Sequence, residues 1–155
     1  MDCSLADAPF DPASELARFS ARVDGSGAIA SFSGIARPLS KQGSEVSAML
    51  LESHPRLTLL SMEAIAEDAR EKFEIQSLRI VHRHGLIAPG ETIVFVAAAS
   101  AHRRAAHDAV DYMMDRLKTE AVFWKREDTS AGSNWIEPTE GDYADRERWD
   151  HSQRN

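Results

Sequence analysis

The chain has 155 residues, with 18 lysines and arginines against 25 aspartates and glutamates, for a formal net charge of −7. That balance excludes broad, non-specific binding to nucleic acid or anionic membranes, where cationic surface supplies the attraction. The length suits a single domain that buries about two thirds of its unfolded surface, and no apolar run approaches a membrane span. Residues 1–10 are acidic where a signal peptide is basic and lack an apolar stretch, so they are expected to be a flexible leader on a cytoplasmic protein. The one cysteine, Cys3, falls in that leader, which leaves no internal disulfide and a poor thiol nucleophile. Asp11 before Pro12 signals a helix start, and the helix is expected to run to about residue 23, where Asp24-Gly25-Ser26-Gly27 stops it.

Residues 28–36 read as a strand, with Ile29, Ser31 and Ser33 alternating against Ala28, Ala30 and Phe32. Arg37 closes that strand. The polar, breaker-rich residues 38–45 are expected to form a mobile loop, which sets Arg37 at a loop mouth, and residues 46–52 read as a second strand. Pro55 opens a helix in which Leu59, Met62, Ile65, Ala66, Ala69 and Phe73 recur at spacings of three and four. Residues 78–82 and 92–99 read as strands joined through Pro89-Gly90, the second so apolar that both of its faces are expected to be covered. The next helix spans 101–117, with Ser100 as its N-cap and Ala106, Val110, Met113 and Leu117 as its buried stripe. Residues 122–126 and 134–137 make a hairpin, and the charged tail, 138–155, is expected to fray or to dock on a partner. The sum is an α+β domain: a mixed, largely antiparallel sheet covered by two main helices, with a C-terminal hairpin.

Against the acidic whole, residues 100–127 gather His102, Arg103, Arg104, Lys118 and Lys125. His102 and Arg103 fall in the first turn of a helix, whose unpaired N–H groups already favour an anion, so a basic pair there suits a bound phosphate or carboxylate. The alternative is a solvated helix start with Arg104 paired to Asp108. Lys118, at the helix C-terminus, suits either a reacting group or a cap for the last carbonyls. On the strand around residue 124, Phe123 and Lys125 share one face, while Trp124 and Arg126 share the other. Whichever aromatic is buried carries a cation with it, and a partly dry lysine near other cations becomes a proton donor or acceptor near neutrality. The alternative is an edge-strand lysine whose amine reaches out to water. The six histidines lack metal-ligand spacing, His102 and His107 lying about 140° apart round a helix, so no metal is expected. Without a Gly-rich phosphate loop or a GxSxG motif, these residues point to a cationic pocket that handles a small anion by acid/base chemistry.

The motifs SFSGIAR (31–37), LLESHP (50–55), IVHRHGLIAPGETIVFVAAASAHR (80–103), MDRLKTEAVFWKRE (114–127) and NWIE (134–137) resemble the large, catalytic subunit family of molybdopterin synthase, in order and spacing. The resemblance implies an α/β hammerhead type of fold and a sulfurtransferase of molybdenum cofactor biosynthesis. Its expected substrate is a cyclic pyranopterin monophosphate. Sulfur would come from a small ubiquitin-like subunit whose C-terminal Gly-Gly bears a thiocarboxylate, so no cofactor of the chain's own is expected. A homodimer flanked by two small subunits, a heterotetramer, is the implied assembly. Carried over position by position, Lys118 and Lys125 match the catalytic lysines, and Arg37, His102 and Arg103 match groups that bind the anionic substrate. Pro138-Thr139 stand where relatives often carry a basic residue. The competing expectation is a non-catalytic module that captures a partner's C-terminal carboxylate in the same cationic pocket.

Overall fold

The structure, a computed structural model, describes residues 2–151. Met1 of the expected leader and residues 152–155 of the expected tail lie outside the described residues. Within the leader, residues 2–6 form a strand, β1 (Asp2–Ala6), which pairs in parallel with β4 (Ser77–Arg83). Its half-buried side chains pack on the main core, and that burial outweighs the polar composition that suggested a free end. Cys3 therefore sits in a sheet, where burial, with Glu63 and Asp2 nearby, raises its thiol pKa to about 11, far from a thiolate.

The strands form two four-stranded sheets rather than one mixed sheet. The first has the order β1-β4-β6-β2, with β2 at Ala28–Ile35 and β6 at Thr92–Ser100; apart from the β1–β4 pair it is antiparallel. The second has the order β5-β3-β7-β8, built from β5 (Gly85–Ile87), β3 (Val46–Ser53), β7 (Phe123–Thr129) and β8 (Gly132–Ile136). Periodicity marks strands but says nothing of which strands pair, and β5 is too short to show any. β4 and β5 are nearly continuous, so one stretch of chain serves both sheets. It turns between them at Gly85, whose φ of +82° only glycine adopts at little cost. His84 braces the turn by donating its N–H to the Ala6 carbonyl at 3.0 Å. The C-terminal hairpin is longer than its apolar pattern suggested, closing at Thr129 and Gly132.

Helix α1 (Pro12–Arg22) starts as expected, the Asp11 carboxylate accepting from the N–H groups of Ala13 and Ser14 at 3.1 Å each. Helix α2 (Pro55–Phe73) is capped by His54, whose Nδ1 accepts from the Leu57 N–H at 3.3 Å. α3 spans Arg103–Thr119, two residues later than expected, because β6 runs on through Ser100 and leaves His102 as the N-cap. β6 is covered on both sides. Val94, Val96 and Ala98 pack with Met62, Ile65 and Ala66 of α2 and with Ala109 and Met113 of α3, while Phe95, Ala97 and Ala99 face Phe19 of α1. Each large apolar side chain buried in this way contributes about 1.5–3 kcal/mol.

The tail is not frayed. Its residues Glu140–His151 form α4, which docks on the chain's own α3. Arg148 donates to Asp111 and Asp115 at 2.8 Å each, and Arg146 donates to Glu120 at 2.7 Å. The Trp149 ring meets Phe73 and Tyr112 edge-on, with centroids 5.6 Å from each. Carboxylates on one helix thus face guanidinium groups on the other, a match between segments distant in sequence. Among the described residues no helix is long and apolar enough to cross a membrane.

Candidate functional site

Arg37 leaves β2 from a fixed point. Its neighbour Ala36 is buried and held by two backbone bonds, from the Ala36 N–H to the Glu91 carbonyl at 2.9 Å and from the Gly90 N–H to the Ala36 carbonyl at 2.8 Å. The turn that makes those bonds is itself pinned. The buried Arg83 guanidinium donates to Glu91 Oε2 at 3.2 Å and to the Leu86 carbonyl at 2.8 Å, and the Ala88 N–H bonds the same carboxylate oxygen at 3.0 Å. Beyond Arg37, the 38–45 loop closes on itself through the Leu39–Glu45 bridge and a 2.8 Å bond from the Ser40 N–H to the Ser44 carbonyl, and it carries Lys41.

Lys125 lies on β7 opposite Leu51 of β3. Its side chain is 33% exposed, and Nζ is 3.6 Å from Glu127 Oε1. Burial holds its pKa below the ordinary lysine value; Glu127 opposes that shift, and the charges of Arg37 and Lys41 add to it. The three cations therefore share one field, with Glu127 as counter-charge. Phe123, on the same face of β7, stacks on the His82 ring at 4.1 Å, so this face turns inward while Trp124 stays exposed. Burial pushes the His82 pKa down to about 4, which leaves the ring neutral, its Nδ1 2.8 Å from the Arg83 carbonyl.

Lys118 belongs to the last turn of α3. Its side chain is 57% exposed, and instead of folding onto the helix end it meets Asp142 of α4, Nζ to Oδ1 at 3.3 Å. His102 and Arg103 are exposed at the opposite end of the same helix. Fifteen residues separate Arg103 from Lys118, about 22 Å of helix. The strand register separates His102 and Arg103 from Arg37 as well: Ala28 pairs with Ser100 and Ile35 with Thr92, so Arg37 and the basic pair flank opposite ends of β2 and β6. Within one copy the charges of Arg37 and Lys41 act on Lys125, while Lys118 stands at the end of α3 away from His102 and Arg103. The structure does not bring His102 and Arg103 to Arg37. No ion pair links Arg104 to Asp108 among the described residues, nor do any three or more histidine, cysteine or acidic side chains there form a group that could hold a metal.

Sequence reasoning overlooked Glu127, Asp142 and the Arg83–Glu91 clamp. Glu127 was legible, since alternation puts it on the Lys125 face. Asp142 had no local signal, because its meeting with Lys118 depends on how α4 folds back.

The family model described as MoaE protein matches residues 5–120. A molybdopterin synthase catalytic subunit from Caulobacter vibrioides is 47% identical over 150 residues, covering 97% of this chain and 98% of that protein. The structure of a molybdopterin biosynthesis MoaE protein from Burkholderia ambifaria superimposes with a TM-score of 0.80 at 37% identity, over 96% of this chain and 97% of that one. A protein–protein complex of subunits 1 and 2 of molybdopterin-converting factor from Helicobacter pylori shares the fold, with a TM-score of 0.71 at 16% identity over 89% of this chain and 90% of that one.

Proposed function

The chain belongs to the MoaE family and is the catalytic subunit of a molybdopterin synthase, and we propose that Lys118 and Lys125 carry its sulfur transfer while Arg37, His102 and Arg103 bind the substrate. Its partner is the small subunit, whose thiocarboxylate supplies the sulfur to the cyclic pyranopterin monophosphate. On this reading the chain needs no cofactor of its own and works in the cytoplasm.

The observation that carries the assignment is the shared field of Arg37, Lys41 and Lys125 in an otherwise acidic protein. Both ligands are anionic, a phosphate and a thiocarboxylate, and each is attracted to such a field. Lys125 is the proton shuttle: burial and the neighbouring cations favour loss of its proton, so it can take one from a reacting group and return it. Lys118, ion-paired and more exposed, holds negative charge that develops on the acyl-sulfur intermediate. Arg37 steadies the phosphate as the cyclic ester opens.

His102 and Arg103 serve the pocket of a second copy, because α3 holds them a helix length from their own Lys118. A homodimer provides that geometry. β2 is an edge strand of its sheet, and its exposed Ile29, Phe32 and Ile35 offer apolar surface along it, Ile29 at the end next to the basic pair.

The test combines the full chain, a thiocarboxylated small subunit and the pyranopterin substrate, with the dithiolene product read by mass. K118A should fold and give no product; wild-type turnover in that variant would remove Lys118 from the chemistry. R103A should also be inactive, yet unfolding and refolding K118A and R103A together should restore product through mixed dimers. Failure of that mixture, with both variants dimeric, would return the basic pair to its own chain.

A further inference from the structure

The carboxylate facing Lys118 is held more firmly than a surface ion pair requires. Asp142 Oδ2 accepts from the Thr139 N–H and from the Thr139 hydroxyl, both at 2.8 Å, while the same hydroxyl accepts from the Asp142 N–H at 3.2 Å. These three bonds fix the rotation of the carboxylate and leave Oδ1 for Lys118, 3.3 Å away. Asp142 itself is 21% exposed, against 57% for Lys118. Partial burial pushes the Asp142 carboxyl up, but Thr139 and Lys118 more than offset it and keep it below the ordinary carboxylate range.

The helix that bears Asp142 is fastened to the helix that bears Lys118. Arg148 ties α4 to Asp111 and Asp115, and Arg146 ties it to Glu120. Carbonyls at the end of α3 that could compete for the amine already have donors: the Arg116 carbonyl accepts from the Glu120 N–H at 2.7 Å, and the Asp115 carbonyl accepts from the Thr119 hydroxyl at 2.9 Å. A long, flexible side chain is thereby offered one anchored acceptor.

We infer that Asp142 is a positioning residue for the sulfur transfer: braced by Thr139, it holds the Lys118 amine at the C-terminal end of α3, in the place from which it meets the reacting group. The inference rests on the assignment of Lys118 to the chemistry. Asp142 touches no substrate on this account and acts only through Lys118. Its loss therefore lowers the rate of the bound complex and leaves substrate affinity nearly unchanged. A lysine released from its partner samples many rotamers, and misplacement of a reacting group by about 1 Å costs up to about a hundredfold in rate.

The test measures kcat and KM for pyranopterin conversion by the full chain with thiocarboxylated small subunit. D142N should lower kcat on the order of tenfold with KM within about twofold, and D142E should recover most of the loss. R148A removes only part of the fastening of α4 to α3, leaving the Arg146–Glu120 tie and the Thr139 bonds to Asp142, and should lower kcat less than D142N. Should D142N not fold, T139V, which removes the hydroxyl bracing Oδ2, should show the same pattern with a smaller fall. Wild-type kcat in D142N beside an inactive K118A would overturn the positioning role and leave Lys118 in place. Equal losses in R148A and D142N would overturn it too, assigning the effect to α4 docking. Full turnover by K118A would instead remove the premise, and the inference with it.

Discussion

The two lysines sit in unlike surroundings. Lys125 belongs to a strand with β3 on one side and β8 on the other, and the same face of that strand carries Phe123 against the buried His82. Lys118 stands at the end of a helix, more than half exposed, steadied by a carboxylate from a different helix. One is placed by backbone pairing and burial; the other by ion pairs between side chains. The difference separates roles. Burial tunes the proton affinity of Lys125, whereas an ion pair fixes where the Lys118 amine lies.

The largest effect belongs to His82, which Phe123 of the Lys125 strand stacks on. His82 is neutral when folded, with a pKa of about 4 against an ordinary 6.5, so below pH 6.5 the unfolded chain takes up a proton that the folded chain refuses. Stability is complete above that value, falls as the pH drops from 6.5 to about 4, and then levels off with respect to this group. The loss over that window is about 3 kcal/mol, and comparing chemical denaturation of wild type and H82F across it should show a much flatter profile in the variant. An unchanged profile would mean that the ring is not buried neutral against Phe123.

Next in size is the Lys118 side. W149A removes the ring packed on Phe73 and Tyr112 and should weaken the docking of α4 by about 2 kcal/mol, less than a fully buried tryptophan because Trp149 is only half-buried. Hydrogen exchange should report faster opening of α4 amides with β7 amides unaffected. Coupled acceleration in both would erase the distinction between the two surroundings. The smallest effect belongs to Lys41. K41M removes one cation that disfavours the charged form of Lys125, so the pKa of that lysine rises and the acid limb of the pH–rate profile moves to higher pH. A shift in the other direction would contradict the shared field.

How much could be read in advance follows the same division. The apolar run of β6, the Asp11–Pro12 helix start and the α2 stripe were legible because each is a local pattern with a local cause. Alternation paired Phe123 with Lys125 and Trp124 with Arg126, but which pair turns inward was fixed only by the stacking of Phe123 on His82. What escaped was long-range. β1 is a strand because β4 offers it an edge, β5 because the chain turns at Gly85, and α4 a docked helix because its arginines find the acidic flank of α3. The separation of Arg103 from Lys118 could have been counted along the helix, but only the register of β2 against β6 set Arg37 at the end away from Arg103.

The turn at Gly85 also bears on the spacing of Arg37 and Lys125. Arg37 lies just past the end of β2 in one sheet and Lys125 on β7 in the other, and the β4–β5 segment runs from one sheet into the other. The reach from one positive centre to the other is thus a dimension of that corner rather than of either layer, much as the opening of a pair of callipers belongs to its pivot. An alanine at residue 85 would meet no steric crowding, only a backbone angle that side chains resist, at roughly 1 kcal/mol. A slight change of angle there would relieve so small a strain and alter the separation of Arg37 from Lys125, with neither of them substituted.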